Sequence, residues 1–392
     1  MPVGAVWDAA DLVGGNGRLV VLMDVNWWTG TTSQLLPIVE NIERFIDDPP
    51  STLVLPGSLF RSSGESLSTN GTFLTINGYD VLGQSGAPLL SFSGSRVDTD
   101  GDLLRILASQ IVAGGGLLRV DGGAQIVQTG SDALLSARDS TLALGGHLID
   151  VAGRSFAVQG DSDPDPISGA PTGLVFGIDR PLQPGPGAAV FEADASRVTV
   201  GGSAVKIDTA LLEASAPVLR LLNGAALTTG NHAIDLALRA KVSIPGDALV
   251  SLHLSSLLVR QGHLVNVAGG SRLSVGDLVA LTGGSTLSIL NGALLSVSGG
   301  SIVNVGGALI RFTGTDNFVS ITNSFAPTAL IGGVPVYAPG GGFSVTTSNA
   351  LAGLGTSGAI KINGVTLTPT TSLSRLTGSL VVVQGGSVKV GP

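Results

Sequence analysis

Pairs of adjacent apolar residues recur along most of the chain at a short and nearly fixed interval. Between positions 89 and 310 they return with a period of roughly 15 residues, with one longer interruption. Three consecutive repeats, over residues 262–306, read GHLVNVAGGSRLSVG, DLVALTGGSTLSILN and GALLSVSGGSIVNVG. Alternating apolar and polar residues around each pair predict short strands. The glycines between strands favour tight corners, because glycine alone adopts positive φ without steric cost.

A short fixed period of this kind is typical of a parallel β-helix, or β-solenoid, in which stacking buries strands too short to be stable alone. In the repeat that ends at residue 306 we predict strands near 294–297 and 302–305, with a glycine corner at 299–300. One coil could contain one 15-residue unit or two units, giving about fifteen or about seven coils over residues 86–310. The shaft would then be about 70 or about 35 Å long.

The repeat divides the chain into three predicted regions. The solenoid shaft spans 51–323, with an excursion at 161–186 that holds six of the 19 prolines and a short predicted strand at 174–176. Residues 324–392 form an irregular β region that ends in repeat-like strands at 379–392. Because nothing repeat-like follows, we expect the last coil to present unpaired N–H and C=O groups.

Residues 1–50 differ in character from the repeats. An apolar run at 17–28 predicts a buried strand, and the helical spacing of apolar residues at 32–47 predicts a helix, stopped by two prolines at 49–50. This β-α unit resembles the last such unit of a flavodoxin-like or amidotransferase-like domain, in which a G-x-G-R strand ends in an Asp. We interpret it as a cap of the shaft, held there by Trp27 and Trp28, and Asp24 as a structural remnant.

Composition excludes several classes of function. Charged residues are 12% of the chain, the net charge is −8, and no basic cluster exists that could neutralise nucleic-acid phosphates. The chain has no cysteine, so disulfides and thiolate chemistry are excluded. Its apolar runs are far shorter than the roughly 18 residues that span a bilayer, so no transmembrane segment is predicted.

Three carboxylates are the best sequence candidates for a metal site. Asp98, Asp100 and Asp102 alternate, so on one strand they would share a face that could bind calcium or act in polysaccharide cleavage. A solvated turn is the competing interpretation, and we favour it. A second acidic cluster, at 161–165, lacks the spacing of a calcium loop and is interpreted as loop.

The four histidines, His147, His232, His253 and His263, have no zinc-binding spacing. His253 and His263 lie on neighbouring repeats and could form a joint site, but we favour the interpretation that each is an outward polar position. No nucleophile elbow and no phosphate-binding loop is found. The sequence therefore predicts no catalytic constellation and no cofactor.

The repeat units, such as GALLSVSGGSIVNVGG, resemble those of bacterial surface β-solenoids: filamentous haemagglutinin-like exoproteins and autotransporter passenger domains. The resemblance covers about residues 51–392 and departs from those families in its shorter period. It implies a structural or adhesive protein, extracellular or on a bacterial cell surface. A surface glycan is the candidate ligand. The expected open coil favours end-to-end homo-oligomers or filaments. The alternative is a polysaccharide-active β-helix enzyme, a lyase or glycoside hydrolase; an ice- or crystal-binding array ranks last because threonine is scattered.

Overall fold

The structure, a computed structural model, describes residues 52–153 and 179–392, together with the backbone of four short strands at 4–7, 19–22, 155–158 and 175–178. The described shaft is a β-solenoid of about eight turns. Among the described residues the only helical element is a 3-10 turn, Leu373–Arg375. The predicted mainly β fold with parallel stacking is confirmed.

Each coil contains two of the 15-residue units. Leu104 pairs in parallel with Leu74 of the preceding coil and with Leu135 of the following coil. Between successive partners the chain forms four short strands, two from each unit. Of the two coil sizes considered from the sequence, the structure has the one with two units per coil. About eight coils spaced by about 4.8 Å give a shaft of about 38 Å.

Four sides of the shaft carry stacked strands, numbered here in chain order within a coil. On side 1 the sheet contains, in stacking order, Phe60–Ser63, Leu90–Ser93, Leu118–Asp121, Ile149–Ala152, Val205–Asp208, Ile234–Ala237, Val265–Val267, Leu295–Ser298, Val381–Gln384, Val334–Tyr337 and Ala329–Ile331. Side 2 contains Ser66–Thr69, Arg96–Thr99, Gln125–Gln128, Leu182–Gln183, Leu211–Glu213, the first parts of Lys241–His253 and Arg272–Thr282, Ile302–Val305, Ser387–Val390 and Gly342–Val345.

The second unit of each coil supplies the other two sides. Side 3 contains Leu74–Asn77, Leu104–Leu107, Leu135–Arg138, Phe191–Asp194, Leu219–Leu222, the last parts of Lys241–His253 and Arg272–Thr282, Ile310–Thr313 and Leu351–Ala352. Side 4 contains Thr52–Leu55, Asp80–Gly83, Gln110–Ala113, Thr141–Leu144, Arg197–Val200, Ala226–Thr229, Ser256–Val259, Thr286–Ile289, Asn317–Ile321, Gly358–Ile362 and Val365–Leu367.

The hydrophobic pairs of the sequence form the core. In the pair Leu103–Leu104, the first residue ends a corner and the second begins a strand on side 3, and both side chains are buried. The pair at 117–118 does the same on side 1. Burial of a Leu or Ile side chain contributes about 1.5–3 kcal/mol, so a column of such residues holds consecutive coils together.

The predicted glycine corner is confirmed in the repeat that supplied it. Strands Leu295–Ser298 and Ile302–Val305 flank Gly299 and Gly300, which have φ of 62° and 75°. A buried serine, Ser301, follows them. The GGS triplets at 269–271 and 283–285 have the same backbone, so this motif marks a corner.

Two antiparallel pairs lie outside the parallel stack. Gly4–Trp7 pairs with Leu19–Leu22, which falls within the strand predicted at 17–28. Ser155–Val158 pairs with Val175–Ile178, a hairpin between the fourth side 1 strand and the return of the chain to side 2 at Leu182–Gln183. The helix predicted at 32–47 lies outside the described residues.

The end of the shaft that contains residues 324–392 corrects one prediction. The last strands, Val381–Gln384 and Ser387–Val390, were expected to form an open final coil. They lie instead between two layers, Leu295–Ser298 and Ile302–Val305 on one side and Val334–Tyr337 and Gly342–Val345 on the other. The prediction was wrong because sequence order does not fix stacking order, and an earlier segment covers the later one.

Candidate functional sites of the shaft

The acidic trio does not form one face. Asp98 belongs to the strand Arg96–Thr99, whereas Asp100 and Asp102 follow in the turn. Asp98 pairs with Arg96 at 2.7 Å. Asp100 is exposed, while Asp102 is buried and pairs with Arg105 at 2.7 Å. The three carboxylates therefore point into three different environments, because the strand ends before the alternation does.

Asp102 is a structural carboxylate in this arrangement. It also accepts a hydrogen bond from the hydroxyl of Ser136 in the next coil. Arg105 contacts Asp132 of the next coil at 3.0 Å as well. The hydrogen bond with Asp102 is the main cause that raises the pKa of Arg105 above its ordinary value. This cluster links two coils, and within residues 52–153 and 179–392 no group of three or more acidic or histidine side chains is placed to hold a metal ion.

Histidines do come together, but they are not the pair considered from the sequence. His232 and His263 lie on successive coils, and their rings stack with centroids 5.5 Å apart and planes 8° from parallel. His253 lies at the end of its strand on side 3 and contacts Thr282 at 2.9 Å. The joint site of His253 and His263 is wrong because stacked residues are separated by a whole coil of two repeat units, whereas these two are separated by less than one unit.

The stacked histidines accept hydrogen bonds from backbone N–H groups of the following coil. Nδ1 of His232 accepts the backbone N–H of His263 at 2.8 Å, and Nδ1 of His263 accepts that of Ala293 at 3.0 Å. His147 accepts the backbone N–H of Ser203 in the same way. Each ring therefore provides an acceptor to the following coil, at the corner where side 4 turns into side 1.

Burial keeps these two rings neutral. Desolvation lowers the pKa of His263 to about 4, with a smaller contribution from His232. Desolvation also lowers the pKa of His232, and this effect outweighs the opposing attraction of Asp235. A protonated Nδ1 could no longer accept the backbone N–H. Protonation is therefore opposed by both the environment and the hydrogen bond.

A column of buried serines, which sequence analysis missed, lines the corner between sides 3 and 4. The hydroxyl of Ser140 accepts the backbone N–H of Ser109 at 3.2 Å and donates to the carbonyl of Arg138 at 2.7 Å. Equivalent buried positions along the shaft are Ser109, Ser140, Ser196, Ser255 and Ser285. In the sequence, each of these serines directly precedes a side 4 strand. The many other serines of the chain hid this pattern.

Charged side chains on the outer surface connect coils. Arg220 pairs with Glu192 at 3.1 Å, and the two residues lie on stacked side 3 strands. Lys206 contacts Asp208 on its own strand and Asp150 on the coil before. Similar contacts across coils join Arg105 to Asp132, Arg138 to Asp194, Arg180 to Glu213 and Arg311 to Asp277. Carboxylates are thus held beside cations of neighbouring coils.

A depression of about 300 Å³ lies beside the serine column. Its lining includes Asp139, Thr141, Arg197 and Gly224, from three successive coils. Asp139 has positive φ, at 51°, and is exposed. The depression is shallow and polar, and it offers one carboxylate and one guanidinium to a ligand.

Several sequence candidates lie outside the described residues. These are Asp24, the tryptophan pair at 27–28, and the acidic cluster at 161–165. Their interpretations stay predictions.

Comparison of the chain with models of known protein families, with curated proteins and with solved structures gave no match. The resemblance to bacterial surface solenoids therefore stays at the level of architecture. Within the part of the chain that the structure describes, no helix is long and apolar enough to cross a membrane.

Proposed function

We propose that this chain is a non-catalytic structural or adhesive protein, extracellular or on a cell surface, whose shaft assembles end to end and presents its sides to a surface glycan. The observation that carries the proposal is that charged side chains of the shaft form ion pairs with one another. Two members of the acidic trio considered for catalysis, Asp98 and Asp102, are each bound to an arginine, and ion pairs elsewhere join neighbouring coils.

Glycoside hydrolysis requires a different arrangement. Two carboxyl groups must flank the scissile bond about 5–10 Å apart, one of them with a raised pKa and neither neutralised by a salt bridge. A polysaccharide-active β-helix enzyme is the alternative function. The ion pair of Asp102 is the observation that argues most directly against it.

Side 4 supplies a regular surface for an extended ligand. Its outward positions stack in register. One column runs through Val112, Ala143, Thr199, Thr228, Leu258, Ser288, Ser320 and Lys361, so hydroxyl side chains occupy four of these eight positions. Short hydroxyl side chains at multiples of about 4.8 Å can hydrogen-bond to the hydroxyls of a polysaccharide lying along the shaft axis. The chemical class that this surface suits is a neutral glycan.

End-to-end contact is supported at the other end of the shaft. The strands Phe60–Ser63 and Leu74–Asn77 each have a partner on one side only among the described residues. Core residues there are partly exposed, among them Leu53, Phe60 and Phe73. The cap predicted at 1–50 precedes these strands in the sequence and, apart from the backbone of two short strands, lies outside the described residues. We take the described edges and the partly exposed apolar core beside them as the surface on which a second copy docks.

Negative-stain electron microscopy over a range of concentrations tests the assembly. We expect fibres with an axial repeat related to the shaft length, and we expect Phe73→Lys to shorten them. The matched control is Leu238→Lys, at an exposed corner in the middle of the shaft. Discrete single shafts at every concentration, or equal effects of the two variants, would refute end-to-end assembly.

Binding and turnover assays on the same preparation separate the two functional classes. Saturable retention of neutral glycans without release of reducing ends supports the adhesive proposal. Release of reducing ends or of unsaturated uronate products by the wild-type protein would establish the enzyme instead.

A further inference from the structure

The end of the shaft that contains residues 295–392 is built out of chain order. On side 1 the sheet runs Leu295–Ser298, then Val381–Gln384, then Val334–Tyr337. On side 2 it runs Ile302–Val305, then Ser387–Val390, then Gly342–Val345. The pair Val381–Gln384 and Ser387–Val390, called here the insert, thus occupies a slot between two layers that both precede it along the chain.

The insert is apolar and buried on its inward face. Its inward side chains belong to the same core as those of the neighbouring layers. The buried residues of the insert and of its lead-in are Leu380, Val381, Val382, Val383, Val388 and Val390. Both of its strands make parallel hydrogen-bonded ladders on both edges.

The corner of the covering layer is shaped to the insert. A Cβ at Gly341 would lie 2.5 Å from Cγ1 of Val383, so glycine is required there by close approach. A Cβ at Gly342 would have Ser387 as its nearest neighbour at an ordinary 3.8 Å. The covering layer therefore contacts the insert as closely as one shaft coil contacts another.

A side-chain clamp marks the entrance of the slot. Oδ1 of Asn323 accepts the backbone N–H of Ser379 at 3.0 Å, and Nδ2 donates to the carbonyl of the same residue at 2.7 Å. The Ser379 hydroxyl donates to the carbonyl of Phe325 at 2.7 Å. The side chain of Asn323 thus pairs with the backbone of Ser379 as a residue of a neighbouring strand would. Because it binds backbone groups, it can bind the same segment of another copy of the chain equally well.

An exposed connection leads to the insert. Residues 368–375 are almost all exposed and contain no strand. Fully extended, this stretch would span about 28 Å. The connection is therefore long enough to let the insert leave its own slot without disturbing the shaft.

Folding order makes the slot available. The strands Leu295–Ser298 and Ile302–Val305 precede the insert along the chain, whereas the covering strands have the insert as their only parallel partner among the described residues. Until the insert pairs with them, the edges of these two preceding strands are open, and the segment SLVVVQ (379–384) has the β-branched, uncharged character of a segment that pairs with such edges.

We propose that the slot accepts the insert of a second copy of this chain, so that two copies exchange their inserts. Donor and acceptor lie at the same end of the shaft, so reciprocal exchange closes after two copies. The product is a two-fold dimer in which two shafts meet at these ends. This exchange does not depend on the proposed glycan binding or on fibre growth from the opposite end.

Cysteine pairing provides the test, because the chain has no native cysteine. Ser298 and Gln384 are register partners across the boundary between shaft and insert. One full-length preparation carries Ser298→Cys and a second, bearing an affinity tag, carries Gln384→Cys. The two are unfolded together, refolded at high concentration and oxidised. The matched control pair is Thr228→Cys with Leu258→Cys, register partners inside the shaft.

Insert exchange predicts mixed disulfide dimers at least several-fold more abundant for the 298/384 pair than for the 228/258 pair. Equal yields from the two pairs would overturn the proposal. A second variant removes residues 369–374, which shortens the connection and disfavours return of the insert to its own slot. We expect this variant to run as a dimer in size-exclusion chromatography; a folded monomer would also overturn the exchange.

Discussion

The stacked rings of His232 and His263 make the stability of the shaft depend on pH. In the folded chain the pKa of His263 is lowered to about 4, against about 6.5 for a free histidine. Between these two values the unfolded chain binds a proton that the folded chain does not. The contribution is therefore complete above about pH 6.5 and is lost as the pH falls from 6.5 towards 4.

The magnitude follows from the size of this shift. About 1.4 kcal/mol for each unit of pKa gives a loss of about 3 kcal/mol in the free energy of unfolding from His263. His232, whose pKa is shifted in the same direction, adds to the loss. The loss is large compared with the total stability of an ordinary domain.

The perturbation is His263→Asn. The asparagine carbonyl can accept the backbone N–H of Ala293 in place of Nδ1, but it does not titrate. Urea unfolding at a series of pH values from 7 to 4 measures the free energy for wild type and variant. We expect the wild type to lose about 3 kcal/mol more than the variant over this range.

His253→Asn is the control, because His253 is exposed and outside the stack. Its profile should follow the wild type. Carboxylates titrate in all three proteins, so the differences between profiles isolate the buried ring. Parallel losses in wild type and His263→Asn would refute the link between burial of this imidazole and acid sensitivity.

Three further predictions concern the architecture, each measured by the midpoint of thermal or urea unfolding. Gly230→Ala should destabilise the shaft strongly, because a Cβ there would lie 2.0 Å from the carbonyl oxygen of Gly201. Its control, Gly246→Ala, has open space around the new Cβ and should be tolerated; equal effects of the two variants would contradict the close approach. Ser140→Ala should cost about 1–3 kcal/mol, because it leaves a buried backbone N–H of the preceding coil without an acceptor, and an unchanged midpoint would count against the serine column. Phe191→Ala should cost about 3–5 kcal/mol, since the ring is completely buried, and a cost below about 1 kcal/mol would mean that the core collapses around the gap.

The charge contacts between coils lead to one more prediction. Arg220→Met should cost less than about 1 kcal/mol, because the pair with Glu192 is partly solvated. The same change at Arg105, beside the buried Asp102, should cost several times more, because it leaves a buried carboxylate without its cation. Urea unfolding of both variants at low and high salt measures this difference, and a larger loss for Arg220→Met would refute the assignment of Asp102 as the structural carboxylate.

The sequence by itself determined the solenoid, its strands and its corners. Pairs such as Leu103–Leu104 recur because each must begin a strand with one side chain already buried, and GGS triplets recur because each corner needs positive φ followed by a small polar side chain. Both requirements are local, so they leave a period that is visible in one dimension.

Which strands stack on one another is determined only by the tertiary structure. Both halves of a coil carry the same 15-residue pattern, so no local signal indicates that Leu104 pairs with Leu135 and not with Leu118. The same ambiguity directed attention to His253 and His263, when the stacked pair is His232 and His263. The ring contact depends on a coil that contains two repeat units, which the pattern alone does not determine.

The site candidates show the same division. Alternation suggested that Asp98, Asp100 and Asp102 share a face, but the strand ends at Thr99 and the side chains separate. The open final coil was inferred from sequence order, yet residues 334–345 cover residues 381–390. Parallel strands hydrogen-bond to whichever edge lies one coil away, so local pattern sets which residues form strands, and closure of the coil sets which strands meet.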